Sequence, residues 1–102
     1  MQHARVALYQ CQPGKADEAI SKGQSGMLPT FRSQPGFVGY GLVKTGEDTV
    51  LSISVWQSAE QANAAVQVAA SWIRENIAEL VVSVQNHVGD LVFFSSTSTL
   101  GS

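Results

Sequence analysis

The stretch FVGYGLVKTGEDTVLSISVWQSAEQA, residues 37–62, contains two strand patterns, a short turn and the start of a helix. Its second run, 49–56, alternates apolar and small polar residues with a period of two. This alternation is typical of a strand whose two faces have different surroundings. The first run, 37–44, is rich in residues that favour strands, and the TGED segment between the runs predicts an antiparallel hairpin.

The helix that follows the hairpin is indicated by its own start signal. Ser58 is a favoured N-cap residue, and Gln61 three residues later completes a capping box. From there to Asn76, alanine and aliphatic residues recur at helical spacing, so one apolar stripe is expected. Because many residues of the stripe are alanines, this helix can approach a sheet closely.

The flanking segments complete a β–α–β–β–α–β order. Residues 5–11 read as a first strand, and helical spacing of apolar residues predicts a helix over 15–31 that Pro29 bends near its end. Residues 80–94 predict a long last strand, with a bulge or bend at Gly89. This order predicts an α+β, ferredoxin-like fold in which both helices cover one face of an antiparallel sheet.

Length and composition limit the class of protein. We expect one domain over residues 1–95, followed by a flexible polar tail at 96–102. Six Lys and Arg against eight Asp and Glu, without a basic cluster, argue against nucleic-acid binding. No segment has the length and apolarity of a membrane span or a signal peptide, and Cys11 is the only cysteine. A cytoplasmic location is therefore expected.

The predicted sheet has an apolar face that two helices cannot cover. If the helices cover the side of Ser52, Ser54 and Trp56, the alternate residues face away from them. Six apolar residues are expected on that far side: Leu51, Ile53 and Val55, together with Val38, Tyr40 and Leu42 of the second strand. The last strand is expected to be apolar on both sides. A second copy stacked on this face is the simplest cover, which predicts a homodimer.

Three motifs resemble the antibiotic biosynthesis monooxygenase-like (ABM) family of dimeric α/β-barrel proteins. They are QPGFVGY at 34–40, SVWQS at 54–58 followed by EQA at 60–62, and WIREN at 72–76. The resemblance spans about residues 4–95. It implies a dimeric barrel with a ligand between sheet and helices. Family activities include cofactor-independent oxygenation of phenolic or quinol-like aromatics and oxidative haem degradation, beside many members of unknown role.

The resemblance implies a substrate pocket lined by five residues: Tyr9, Ser52, Ser54, Trp56 and Trp72. Trp56 would stack on an aromatic substrate, and His87 would act as the catalytic base that removes a phenolic proton. The alternatives are ordinary packing for the two tryptophans and a hydrogen-bonded interface position for His87.

The chain departs at two positions from the pattern of the family's quinone-forming monooxygenases. Ser52 occupies the place of an Asn four residues before the strand-three Trp, and Ala62 occupies the place of a Tyr six residues after it. Activating hydrogen bonds must then come from elsewhere. Residues 58–79 contain no His, which argues against the haem-degrading branch.

No cofactor or metal site is predicted, since the sequence has neither a Cys/His/carboxylate cluster nor a phosphate-binding glycine fingerprint. Cys11 is expected to be an inert buried thiol, and Arg32 and Arg74 could hold an anion, although surface arginines usually do not.

Two functions stay open: a monooxygenase acting on a small aromatic or quinol-like compound, and a non-catalytic dimeric module that binds a small molecule.

Overall fold

A computed structural model describes residues 1–95 of the chain. The predicted tail at 96–102 lies outside the described residues. The elements follow in this order: β1 His3–Cys11, α1 Ala16–Lys22, a π-helical segment Gly23–Met27, α2 Leu28–Arg32, β2 Phe37–Lys44, β3 Thr49–Trp56, α3 Ala59–Asn76, a 3-10 turn Ala78–Leu80 and β4 Val81–Asp90.

The four strands form one antiparallel sheet in the order β2-β3-β1-β4, with the helices packed on one face. This is the ferredoxin-like α+β fold that the element order predicts. The sheet does not close on itself within one chain. The two central strands, β1 and β3, carry most of the buried helix-facing side chains.

Local signals place α3 where the sequence predicts it. The Ser58 Oγ accepts a hydrogen bond of 3.2 Å from the Gln61 backbone N–H, which satisfies one of the free donors at the helix start. Ala62, Ala65 and Ala69 are almost fully buried against the sheet layer. The helix ends at Asn76 and a 3-10 turn follows, so β4 begins directly behind it.

The first helical layer, which consists of α1, the π-helical segment and α2, is interrupted just before Pro29. Proline lacks a backbone N–H, and its ring collides with the carbonyl four residues earlier, so a regular α-turn cannot form there. The chain widens instead into the π-helical segment Gly23–Met27. This segment lies against α3, because a Cβ added to Gly26 would stand 2.5 Å from the Trp72 ring.

The face assignment predicted for β2 is wrong for two residues. Tyr40 pairs with Ser54 and Leu42 pairs with Ser52, and directly opposed residues point to the same side of a sheet. Both side chains therefore face the helices. The register shift between Phe37 and Gly39 leaves Val38 as the extra residue, and this shift reverses the alternation expected from the sequence.

The predictions for β4 also need correction. The irregularity lies at Val82, where the pairing passes from Gln10↔Ser83 to Cys11↔Val81, whereas Gly89 stays in the ladder opposite Ala4. The strand is not apolar on both sides, since it presents Ser83, Gln85 and His87 to the side away from the helices.

The sheet side away from the helices, called the open face below, keeps an apolar centre. It contains Val6, Leu8, Val43, Leu51, Ile53 and Val55. Leu8 is 43% exposed and Val43 is 53% exposed. Within residues 1–95, no helix is long and apolar enough to cross a membrane.

Candidate functional site

The helix-facing side of the sheet carries a polar cluster, called the Arg5 cluster, formed by Arg5, Tyr9, Ser52 and Asn86, of which Asn86 is exposed to solvent. The Arg5 side chain is 1% exposed. Its Nε donates to the Asn86 Oδ1 at 2.9 Å, and its Nη2 donates to the Tyr9 hydroxyl at 3.1 Å. Pairing of β1 with both neighbours brings the set together, since Ala7 stands opposite Ser52 on one side and Asn86 on the other.

Two polar atoms of this cluster keep unused bonding capacity. The Arg5 Nη1 and the Ser52 Oγ are fully buried and have no hydrogen-bond partner among residues 1–95. No carboxylate of the same residues forms an ion pair with Arg5. Buried polar atoms are nearly always paired, because an unpaired one costs about 1–3 kcal/mol. The fold therefore holds open hydrogen-bonding positions in its interior.

A small interior cavity lies beside the cluster, between the sheet and the helices. Its lining includes Tyr9, Met27, Tyr40, Leu42, Trp72 and Ile73. Its volume of about 30 Å³ is enough for about two water molecules, whereas a cavity that binds benzene measures about 150 Å³. An aromatic ring could enter only if a lining side chain, such as Trp72, moved aside.

Burial favours the neutral forms of the Tyr40 phenol and the Cys11 thiol in this cavity. Burial raises the pKa of Tyr40 far above its ordinary value; the nearby Tyr9 raises it further, and Arg5 partly opposes the shift. Tyr40 can therefore donate a hydrogen bond but is a poor base. Burial, reinforced by Asp48, also raises the pKa of Cys11. The thiol form is unreactive, in agreement with the inert role expected for Cys11.

Trp56 is a packing residue in this conformation. It is 1% exposed and makes edge-to-face contacts with Phe31 and Phe37, at centroid distances of 5.3 and 5.5 Å. Its Nε1 donates to the Ser54 Oγ at 2.9 Å, so this pair satisfies itself. Trp56 does not line the interior cavity; it borders a separate small cleft with Pro35 and Gln61.

The structure brings together some of the predicted site residues. Tyr9 and Trp72 line the interior cavity, and Ser52 lies in the Arg5 cluster. His87 pairs with Val6 and is exposed on the open face. Within one chain, His87 and Trp56 therefore lie on opposite sides of the sheet and do not form a single site. The catalytic roles assigned to His87 and Trp56 stay predictions.

Sequence reasoning missed Arg5, Tyr40 and Asn86. A signal for Arg5 was present, because Arg5 is a charged residue that shares one face of β1 with Ala7 and Tyr9, and this face is turned towards the helices. Asn86 gave no signal, since only the pairing of β1 with β4 shows that it reaches Arg5. Within residues 1–95, no group of three or more His, Cys, Asp or Glu side chains is arranged to hold a metal ion.

Several solved structures share this fold. NE2512, a protein of unknown function from Nitrosomonas europaea, superposes with a TM-score of 0.75 at 18% identity, covering 95% of each chain. Rv0793 from Mycobacterium tuberculosis gives 0.70 at 16% identity, covering 94% of this chain and 100% of that one. A mutant of SnoaB, a cofactor-independent oxygenase from Streptomyces nogalater, gives 0.69 at 15% identity, covering 91% and 95%.

At these identities the structural likeness shows the fold alone. No protein with a curated description matches the sequence significantly. The family model described as antibiotic biosynthesis monooxygenase matches residues 3–71, which include β1, the first helical layer, the hairpin and most of α3. The chain therefore belongs to the antibiotic biosynthesis monooxygenase family.

Proposed function

We propose that the protein is a cofactor-independent monooxygenase that acts on a small phenolic or quinol-like compound bound between the sheet and the helices. Family membership supports a monooxygenase-like role. The single observation that carries the proposal is the buried and unpaired Oγ of Ser52. Ser52 pairs across the strands with Leu42, which lines the interior cavity together with Tyr9, Tyr40 and Trp72. Such a site offers a ring both aromatic contacts and polar partners for its hydroxyl groups.

The reaction needs no reductant other than the substrate. A phenol that loses its hydroxyl proton transfers electrons to molecular oxygen more readily than the neutral form. One oxygen atom then enters the ring, the second leaves as water, and the phenol is oxidised to a quinone. Tyr40 stays protonated, so its part would be to donate a hydrogen bond to the substrate oxygen.

Oxygen uptake by metal-free protein tests the proposal. The assay offers a panel of phenols and hydroquinones and follows dissolved oxygen together with quinone absorbance. We expect turnover that falls at least about tenfold in Tyr40→Phe, because one donor to the developing charge is lost. Arg32→Gln, on the exposed end of α2, is the matched control and should keep full activity. Absence of turnover across the panel would refute the proposal.

His87→Ala belongs in the same assay because its role as catalytic base is still a prediction. The exposed position of His87 on the open face gives it no route to the interior cavity of its own chain. We therefore expect near-normal turnover from this variant. A large loss would instead support a base contributed across a dimer.

A non-catalytic binding module is the second candidate, and two observations favour it. The cavity has a volume of only about 30 Å³, and its lining contains no His, Asp or Glu that could act as a base. Ligand binding without oxygen uptake would support this reading, and robust turnover by metal-free protein would exclude it.

We also propose that two copies pair through the open face, completing the dimeric barrel that is expected for the family. The apolar centre of this face, with Leu8 and Val43 about half exposed, supports the pairing.

The buried, unpaired Cys11 suits a reducing compartment, and a cytoplasmic location is proposed on that ground.

A further inference from the structure

A second recess lies between the C-terminal half of α3 and β4. It is a cleft of about 360 Å³, within the size range of small-molecule sites, whereas the interior cavity holds only about 30 Å³. The polar side chains that its lining offers on the helix side of the sheet are those of Arg5, Arg74 and Asn86. Its remaining walls are apolar and include Ile73 and Val81. The cleft thus combines an apolar surface with two positive charges.

The two arginines of the cleft differ from the lysines of the chain in their partners. Lys15 and Lys22 each pair with Glu18, and Lys44 pairs with Asp17 at 2.9 Å. Neither Arg5 nor Arg74 forms an ion pair with any carboxylate of residues 1–95. Two of the six basic residues therefore meet at one cleft without a negative partner.

Arg5 is held in position rather than loosely placed. Asn86 and Tyr9 accept hydrogen bonds from its Nε and Nη2, which leaves the fully buried Nη1 as the free end of the guanidinium. A buried cation without a counter-charge is costly for the fold. Because the Nη1 is closed to solvent, an anion in the cleft can reach it only when a lining side chain moves aside. Once there, the anion would supply both the missing charge and the missing acceptor.

We propose that this cleft binds the carboxylate of a small aromatic acid, with the Arg5 Nη1 as its principal donor and Arg74 at the rim. The ring lies on the apolar wall formed by Ile73 and Val81. Both of these residues also line the interior cavity, so the cleft and the cavity share these two side chains as a wall. The claim that this acid is also the substrate rests on the proposed function. The claim that the cleft binds an aromatic carboxylate does not depend on it.

Calorimetric titration with 4-hydroxybenzoate and with its neutral analogue 4-hydroxybenzamide tests the site. We expect the acid to bind about ten- to hundredfold more tightly than the amide, since charge-assisted hydrogen bonds have this strength. Arg5→Met, which keeps the apolar stem, should remove the preference for the acid. Arg74→Gln should weaken binding of the acid by about threefold, as expected for a rim charge. Arg32→Gln is the control and should bind as the unmodified protein does.

Equal affinity for acid and amide, or unchanged affinity in Arg5→Met, would overturn the inference. Should Arg5→Met fail to fold, NMR titration of the unmodified protein decides instead: the acid should shift the Arg5 Nε–H signal more than the amide does, and equal shifts would overturn the inference. Charge-selective binding without oxygen uptake would leave the cleft assignment standing and refute the monooxygenase. Turnover without any preference for acids would do the reverse.

Discussion

Ser52 and Ser54 form a matched pair for substitution by alanine. They lie two residues apart on β3, on the same helix-facing side, and each is 0% exposed. They differ in their hydrogen bonds, because the Ser54 Oγ accepts from the Trp56 Nε1 at 2.9 Å whereas the Ser52 Oγ has no partner among residues 1–95. The same chemical change at the two positions therefore isolates the contribution of the hydrogen bond.

The magnitudes follow from what each substitution leaves behind. Ser54→Ala leaves a buried indole N–H without an acceptor, which costs about 1–3 kcal/mol. For a chain of this length, a loss of about 2 kcal/mol lowers Tm by about 10 °C. Ser52→Ala removes a hydroxyl that is already unpaired, so the free energy of unfolding should stay the same or rise by up to about 1 kcal/mol.

Urea unfolding followed by tryptophan fluorescence measures both variants against the unmodified protein. Oxygen uptake and ligand titration on the same samples then separate stability from function. We expect Ser52→Ala to fold at least as stably as the unmodified protein while turnover falls. A loss of stability in Ser52→Ala as large as that in Ser54→Ala would show that Ser52 has a structural partner, and would refute its place in the ligand site.

Three further predictions concern the turn, the buried phenol and the open face. Gly36→Ala should lower the free energy of unfolding by about 1–3 kcal/mol in urea, because φ is +80° and a Cβ there would collide with the Gln61 side chain; an unchanged midpoint would contradict the turn geometry. Because the folded state raises the pKa of Tyr40 above its ordinary value of 10.0, stability should be fully present below that pH and fall as the pH rises above it. Tyr40→Phe should flatten this decline in pH-dependent urea unfolding, and an equally steep decline in that variant would assign the effect to another group. Leu8→Glu should convert a dimer into a monomer of about 11 kDa in sedimentation equilibrium, and a monomer already present in the unmodified protein would contradict pairing through the open face.

Local signals made the fold largely predictable from sequence. The Ser58 cap, the TGED turn and the helical spacing before Pro29 each depend on residues close together in the chain, and each element appears near its predicted place. The facing of Tyr40 could not be predicted in this way. Its side is set by the single extra residue at Val38, and alternation carries no trace of a bulge until the pairing is known.

The candidate site was predictable only in part for the same reason. The family resemblance implied a pocket with Tyr9, Ser52 and Trp72, and the structure places Tyr9 and Trp72 on the interior cavity and Ser52 in the Arg5 cluster. The Arg5–Asn86 hydrogen bond joins residues 81 positions apart, so it depends on the register between β1 and β4. Trp56 illustrates a different limit, since a large aromatic on the ligand side of a sheet can be taken up entirely by core packing.

Isotopically labelled oxygen gas tests the proposed chemistry at the level of atoms. Metal-free protein is allowed to react with the labelled gas and a panel of hydroxylated aromatic acids. A cofactor-independent monooxygenase should place one labelled oxygen atom in the quinone product and release the other as water, and Tyr40→Phe but not Arg32→Gln should form at least about tenfold less labelled product. An organic product without label, or incorporation that persists undiminished in Tyr40→Phe, would contradict oxygenation at the site between the sheet and the helices.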